Sequence, residues 1–131
     1  MSAKEVKDDR KYTKDHEWAK EQDGALLVGI TAYAVDQLGD ITLVGLDVKV
    51  GDQVKAGQAF GTIESVKTLS DLFAPVSGTV KAVNTALDDA PELVNEDCWD
   101  KGWMISIEPS ENSATLLDAA AYRAHLEDSD H

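Results

Sequence analysis

Apolar positions along the chain fall into short runs separated by glycine, proline or polar clusters, and few stretches carry the 3.6-residue period of a long helix. "GALLVGI" (24–30) reads as a buried strand. "TAYAVDQLGD" follows as a short helix of two turns at most, with Thr31 as its N-cap and Gly39 as a residue past its end that can take positive φ. "ITLVGLDVKVGDQV" offers strands with Gly45 and Gly51 as bulge or turn points, and "QAFGTIES", "LSDLFAP" and "GTVKAV" are further strand candidates. Pro91 suits the first turn of a small helix through "PELVNED", "WMISIEP" resembles a closing strand, and "SATLLDAAAYRAHLED" has the alanine and leucine content of a terminal helix. Many short strands with close punctuation predict a β sandwich or barrel with helical additions. Residues 1–10 are charged and aperiodic, and read as a loose arm that adds little to a core. The fold is expected to start near Tyr12.

Composition narrows this picture. A chain of 131 residues, 43% of them hydrophobic, can bury one core and is too short for two independent domains, so 11–131 is expected to form a single domain. Twelve basic against 25 acidic side chains leave a net charge of −13, which repels phosphate backbones and anionic lipid and argues against nucleic acid and membrane as partners. One cysteine, Cys98, cannot form an internal disulfide, and the N-terminus has no apolar targeting segment, so a reducing cytoplasm is the expected location. His16, His125 and His131 show no metal-ligand spacing, and no nucleophile elbow or phosphate loop accompanies Ser65 or Ser70. No metal and no catalytic residue is assigned. Trp18, Trp99 and Trp103 read as core or rim packing.

The distinctive stretch is "FGTIESVKTLSDLFAP" (60–75), which sets Lys67 between two apolar runs with Glu64 three residues before it. "VKAG" begins at Val54 and "VKAV" at Val80, thirteen residues on either side of Lys67. If this weak repeat reflects two similar strand pairs, it puts Lys67 at the tip of the linking hairpin; the alternative is a chance recurrence of a common tripeptide. "ESVKT" holds no Gly, Asn, Asp or Pro, and valine suits positive φ poorly, so ordinary turn chemistry does not account for these residues. That points to side chains read by another molecule, against the bland reading of a solvated surface lysine.

The chain resembles the glycine cleavage system H protein family in "KYTKDHEW" (11–18), "VGITAYAVDQLGDI" (28–41), "VGDQVKAGQAFGTIESVKTLSDLFAPVSGTV" (50–80), "VNTALDDAPELVNED" (83–97) and "GWMISI" (102–107). The resemblance implies a lipoyl/biotinyl-type flattened β-barrel or sandwich, a barrel-sandwich hybrid, with a hairpin at about 60–75 and a C-terminal helix at about 113–127. It implies lipoic acid in amide linkage to Lys67, with Glu64 and Gly78 read by lipoate-attaching enzymes. Biotin carriers usually flank the lysine with methionines, whereas Val66 and Thr68 stand here.

The family is a non-catalytic shuttle. It carries an aminomethyl group from a pyridoxal-phosphate glycine decarboxylase to an aminomethyltransferase, and electrons to dihydrolipoyl dehydrogenase. A carbon bearing both nitrogen and sulfur loses ammonia readily in water, and the family shields this cargo in a surface cleft where carboxylates favour the amine. Glu17 and Asp71 match that pattern; Asp15 stands where some members have serine, and Tyr33 where relatives can have histidine. The bland alternative for the three acids is a solvated acidic face. "CWDKGW" departs from the proline-tyrosine-glycine pattern common in the family. A lipoyl donor that relays lipoate to other complexes would use the same Lys67, and an unmodified β interaction module remains as a third reading.

Overall fold

The computed structural model describes residues 6–110 and 116–129. Among these residues nine strands, Lys11–Tyr12 (β1), Glu17–Gln22 (β2), Ala25–Ile30 (β3), Ile41–Leu46 (β4), Gln53–Val54 (β5), Ala59–Ser65 (β6), Leu69–Phe73 (β7), Gly78–Val83 (β8) and Ile105–Pro109 (β9), form two antiparallel sheets. One has the order β1-β2-β3-β9-β8-β5 and the other β4-β6-β7. The sheets do not close into a barrel, so of the two expected β architectures the sandwich is the one that forms. Four helices among the described residues decorate it: Ala32–Leu38 (α1), Ala86–Asp89 (α2), Glu92–Glu96 (α3) and Ala119–Ser129 (α4).

The core is continuous. Trp18, Val28, Phe60, Ile63, Leu72, Val80, Ile105, Ile107 and Tyr122 are all fully buried. Apolar burial of this kind supplies the dominant favourable free energy of folding. Trp18 also meets its polar requirement, its Nε1–H donating to the carbonyls of Ile30 at 3.0 Å and Cys98 at 2.9 Å.

Several elements depart from the sequence reading. Residues 6–10 are packed: Val6 is buried, and Arg10 is buried against the rings of Trp18 and Trp99 while donating to the carbonyl of Trp99 at 2.7 Å. A charged run can pack when a guanidinium finds aromatic faces and a carbonyl. Residues 1–5 of the expected arm lie outside the described residues. The strand "WMISIEP" closes nothing: β9 lies inside the larger sheet, paired with both β3 and β8. Gly45 sits in regular pairing with Thr62, and the irregularity in β4 falls between Ile41 and Leu43 instead. Gly51 does turn at φ 97°.

The C-terminal helix begins at Ala119. Leu117 is extended and exchanges backbone hydrogen bonds with Tyr12, and the Asp118 carboxylate then takes the Ala121 N–H at 2.8 Å, the geometry of a helix start. Residues 113–115 of the expected helix lie outside the described residues. "CWDKGW" forms a compact turn in which Gly102 N–H donates to the Asp97 carbonyl at 2.8 Å.

Candidate functional site

The strands flanking the hairpin, β5 and β8, lie side by side with Val54 opposite Gly78, a register that does not match the two Val-Lys-Ala copies to each other. Between them the chain runs out along β6, turns, and returns along β7. Lys67 stands exposed in that turn. Ser65 N–H donates to the Thr68 carbonyl at 2.9 Å, closing the hairpin around Val66 and Lys67.

The turn is not strained, which corrects the expectation drawn from its composition. Among the described non-glycine residues only His16 and Asp23 have positive φ, so neither Val66 nor Lys67 does. Ser65 supplies the turn chemistry: its hydroxyl oxygen accepts from the N–H groups of Lys67 and Thr68, each at 3.2 Å. A serine side chain mimicking a backbone turn makes glycine unnecessary here.

The tip rests on the end of α1. Thr31 caps this helix by accepting the Ala34 N–H, and Gly39 ends it at φ 82°, where a side chain is disfavoured. Asp40 then accepts the Val66 N–H through its carbonyl at 3.0 Å. A Cβ on Gly39 would sit 3.4 Å from Cε of Lys67, so the lysine stem runs over this helix end. Asn95 of α3 clamps the platform, its Oδ1 accepting from Ile41 N–H at 2.8 Å and its Nδ2 donating to the Gly39 carbonyl at 3.3 Å. The Lys67 ammonium makes no hydrogen bond or ion pair among the described residues. It is free to be acylated.

Beside this hairpin lies a cleft of about 340 Å³ whose lining includes Asp15, Glu17, Tyr33 and Asp71, the four residues expected there. Three elements bring them together: the turn leading into β2 carries Asp15 and His16, α1 carries Tyr33, Gln37 and Leu38, and the edge strand β7 carries Ser70 and Asp71. Asp15 and Asp71 remain exposed, whereas Glu17 is only 2% exposed and does not belong to a solvated acidic face. Burial pushes its carboxyl up to about 8, and neighbouring Asp15 acts in the same direction. The Thr13 hydroxyl donates to Oε1 of Glu17 at 2.7 Å and opposes the shift. The cleft therefore favours the protonated form of this carboxyl.

Glu64 and Gly78 stand apart from the cleft. Glu64 is exposed on β6 with Leu43 and Leu69 as its direct cross-strand neighbours, and these are 47% and 60% exposed. Directly opposed residues share a sheet face, so the acid lies in an apolar row next to the tip. Gly78 is buried in the larger sheet beyond the hairpin's base, where a Cβ would collide with the backbone carbonyl of Glu108. A glycine is required there on packing grounds alone.

Sequence reasoning weighed His16 only as a metal ligand, whereas it sits at φ 70° in the cleft wall with its ring 4.7 Å from that of Tyr33 and 5.6 Å from that of His125. Its place between Asp15 and Glu17 was the available signal. Among the described residues no group of histidine, cysteine and carboxylate side chains could hold a metal ion, and no helix is long and apolar enough to cross a membrane.

A two-sheet β domain that displays one unpaired lysine on a hairpin tip, beside a cleft with a buried acid, has the form of a protein whose lysine carries a swinging group. The chain matches the family described as "Glycine cleavage H-protein" over residues 10–129, and it belongs to that family. It is 52% identical over 126 residues to the glycine cleavage system H protein of Anaeromyxobacter sp. (strain K), covering 95% of this chain and 98% of that one. It is 47% identical over 125 residues to the probable glycine cleavage system H protein of Haloarcula marismortui, covering 94% and 98%. A crystal structure of a glycine cleavage system H protein from Mycobacterium marinum superposes with a TM-score of 0.85 at 41% identity, covering 93% of this chain and 99% of that one.

Proposed function

We propose that this chain is the lipoyl-bearing shuttle of glycine cleavage, with lipoic acid in amide linkage to Lys67. The observation that supports this most directly is the exposed, unpaired Lys67 at a supported hairpin tip next to a cleft containing Glu17. The residues present suit the group, because the amine is open to acylation and the hairpin can enter a deep active site. When attached, lipoate supplies a disulfide that can be reduced, bear a one-carbon unit on sulfur and be reoxidised.

The protein's own residues do the rest. Ser65, Asp40 and Asn95 hold the tip in place. Ile30, Leu38, Ile63 and Leu72 give the cleft an apolar lining that limits water. An ammonium held in the cleft would favour the ionised form of Glu17, whose carboxylate could then pair with it. Asp71 and Asp15 add carboxylates at the mouth. A relay that only passes lipoate onward needs Lys67 but no such cleft, so the cleft favours the shuttle.

In this reading the chain is a carrier without catalytic groups of its own, acting in the cytoplasm. The enzymes that meet Lys67 are a lipoate-attaching enzyme, glycine decarboxylase, aminomethyltransferase and dihydrolipoyl dehydrogenase. The test is intact mass after incubation with a lipoate ligase and lipoate, with peptide mapping. A gain of roughly 200 Da on Lys67 is expected, with none in Lys67→Arg, whose guanidinium cannot form the amide. Modification at Lys55 or Lys81, or glycine-dependent one-carbon transfer by Lys67→Arg, overturns the assignment.

A further inference from the structure

Two of the three elements around the cleft, the turn before β2 and α1, are tied at the backbone, where Thr31 N–H donates to the His16 carbonyl at 2.9 Å, and one phenol joins them again through side chains. Tyr122 of α4 is fully buried. Its Oη lies 2.8 Å from Nδ1 of His16, in the wall that carries Asp15 and Glu17, and 2.8 Å from Oγ1 of Thr31, the cap of the helix that carries Tyr33. Thr31 Oγ1 accepts from the Ala34 N–H at 3.2 Å and keeps a proton and a second lone pair, so either hydroxyl can donate across the Thr31–Tyr122 contact, while the phenol's other partner is Nδ1 of His16. Burial and then the nearby His125 lower the His16 imidazole from its ordinary value, with Asp15 acting the other way.

The same helix holds the rim a second time, because His125 Nε2 lies 3.2 Å from the Lys14 carbonyl. The Tyr122 ring is fixed independently of its hydroxyl by stacking on Tyr12, with centroids 4.5 Å apart and planes within 6°. His16 needs such support. At φ 70° its backbone is in a region that non-glycine residues occupy only when the surroundings impose it, and its ring forms part of the cleft surface.

We infer that Tyr122 is a positioning residue for cargo protection: beyond the backbone bond between Thr31 and His16, its hydroxyl links the His16 ring to the Thr31 side chain and thereby fixes that ring in the cleft wall. The inference rests on the proposed carrier role of this cleft. Tyr122 does not itself line the cleft, and acts through His16, which does, and Thr31.

Tyr122→Phe tests it, since phenylalanine keeps the stack on Tyr12 and removes only the bridging oxygen. In the unmodified protein, the side-chain 15N resonance of His16 Nδ1 is expected to shift and exchange of the Ala34 amide to quicken. In the lipoylated protein bearing the aminomethyl cargo, with no partner enzyme present, ammonia is expected to be released about three to ten times faster, the loss that one neutral hydrogen bond would bring. Reduction of the oxidised arm by dihydrolipoyl dehydrogenase is expected to be unchanged.

His16→Asn and His16→Ala probe the link from its other end, because asparagine tolerates positive φ and can place an acceptor near the position of Nδ1. Asn is expected to retain protection and Ala to lose it, with Tyr122→Phe adding nothing in the Ala background. Wild-type protection with equal protection in Tyr122→Phe, or additive losses in the double variant, overturns the role of Tyr122 alone. Wild-type protein that releases ammonia as fast as free dihydrolipoamide bearing the same cargo overturns the cleft reading and this inference together.

Discussion

The hydroxyl of Thr13 donates to Oε1 of Glu17 over 2.7 Å, and Oγ1 of Thr13 in turn accepts the Glu17 and Asp15 N–H groups at 3.2 Å each. One threonine thus shapes the turn that carries His16 and anchors the buried acid that follows it. The contact does not outweigh burial, which leaves Glu17 with a carboxyl at about 8 against its ordinary 4.5.

This difference makes stability depend on pH in a defined sense. The folded protein holds its Glu17 proton more tightly than the unfolded chain does, so the contribution is fully present below 4.5 and is lost as pH rises through about 8. Glu17→Gln cannot ionise yet keeps an oxygen to accept from Thr13. Relative to wild type it is expected to gain stability on the order of a few kcal/mol between about pH 5 and pH 9. Urea midpoints of both proteins across that range are the measurement, and a pH-independent difference would mean that the carboxyl does not titrate there.

The pair Glu17→Gln with Asp71→Asn addresses the cleft as an amine holder. A charge-assisted hydrogen bond is worth roughly 1.5–3 kcal/mol when water is excluded, and less at an exposed acid such as Asp71. Lipoylation and reoxidation of the arm are expected to be nearly intact while ammonia escapes the loaded protein at least several times faster. An unchanged half-life would leave protection to the apolar lining or to the partner enzymes.

Glu64 is displayed between the exposed leucines 43 and 69, beside Val66, which is 68% exposed. An apolar row with one central charge suits a contact that excludes water around an ion pair. Glu64→Gln is expected to slow lipoylation at subsaturating ligase without lowering the melting temperature, since the side chain buries nothing. Equal initial rates for variant and wild type would reduce Glu64 to a solvating role.

For Gly78 the structure provides a packing reason that competes with recognition. Gly78→Ala forces a methyl group against the Glu108 backbone where β8 meets β9, and overpacking costs typically 1–3 kcal/mol. A lowered melting temperature is expected, with a normal lipoylation rate wherever the variant is fully folded. A slow rate in fully folded protein would instead make Gly78 a recognition position.

What the sequence determined by itself was local. Thr31 and Gly39 bound α1 as a polar cap and a glycine should, and the strands between residues 25 and 83 fall near the runs marked by glycine and proline. The hairpin tip at Lys67 was legible because two flanking strands and a short spacer leave the chain no other course. The Ser65 turn was equally local; it was missed because a search for positive φ overlooks a side chain that accepts two backbone N–H groups.

Long-range packing decided the rest. "EWAKEQ" has no alternating pattern, and β2 exists because β1 and β3 pair with it on either side. The central place of β9 depends on partners far off in sequence on both edges. The clearest case is Glu17. Composition counts it among 25 acids on a highly charged chain, and only the approach of α1, β7 and the turn before β2 around one cleft removes it from water and raises its carboxyl. Residue order sets which groups can ionise; the dielectric around each of them, and so its charge, is a property of the packed tertiary structure.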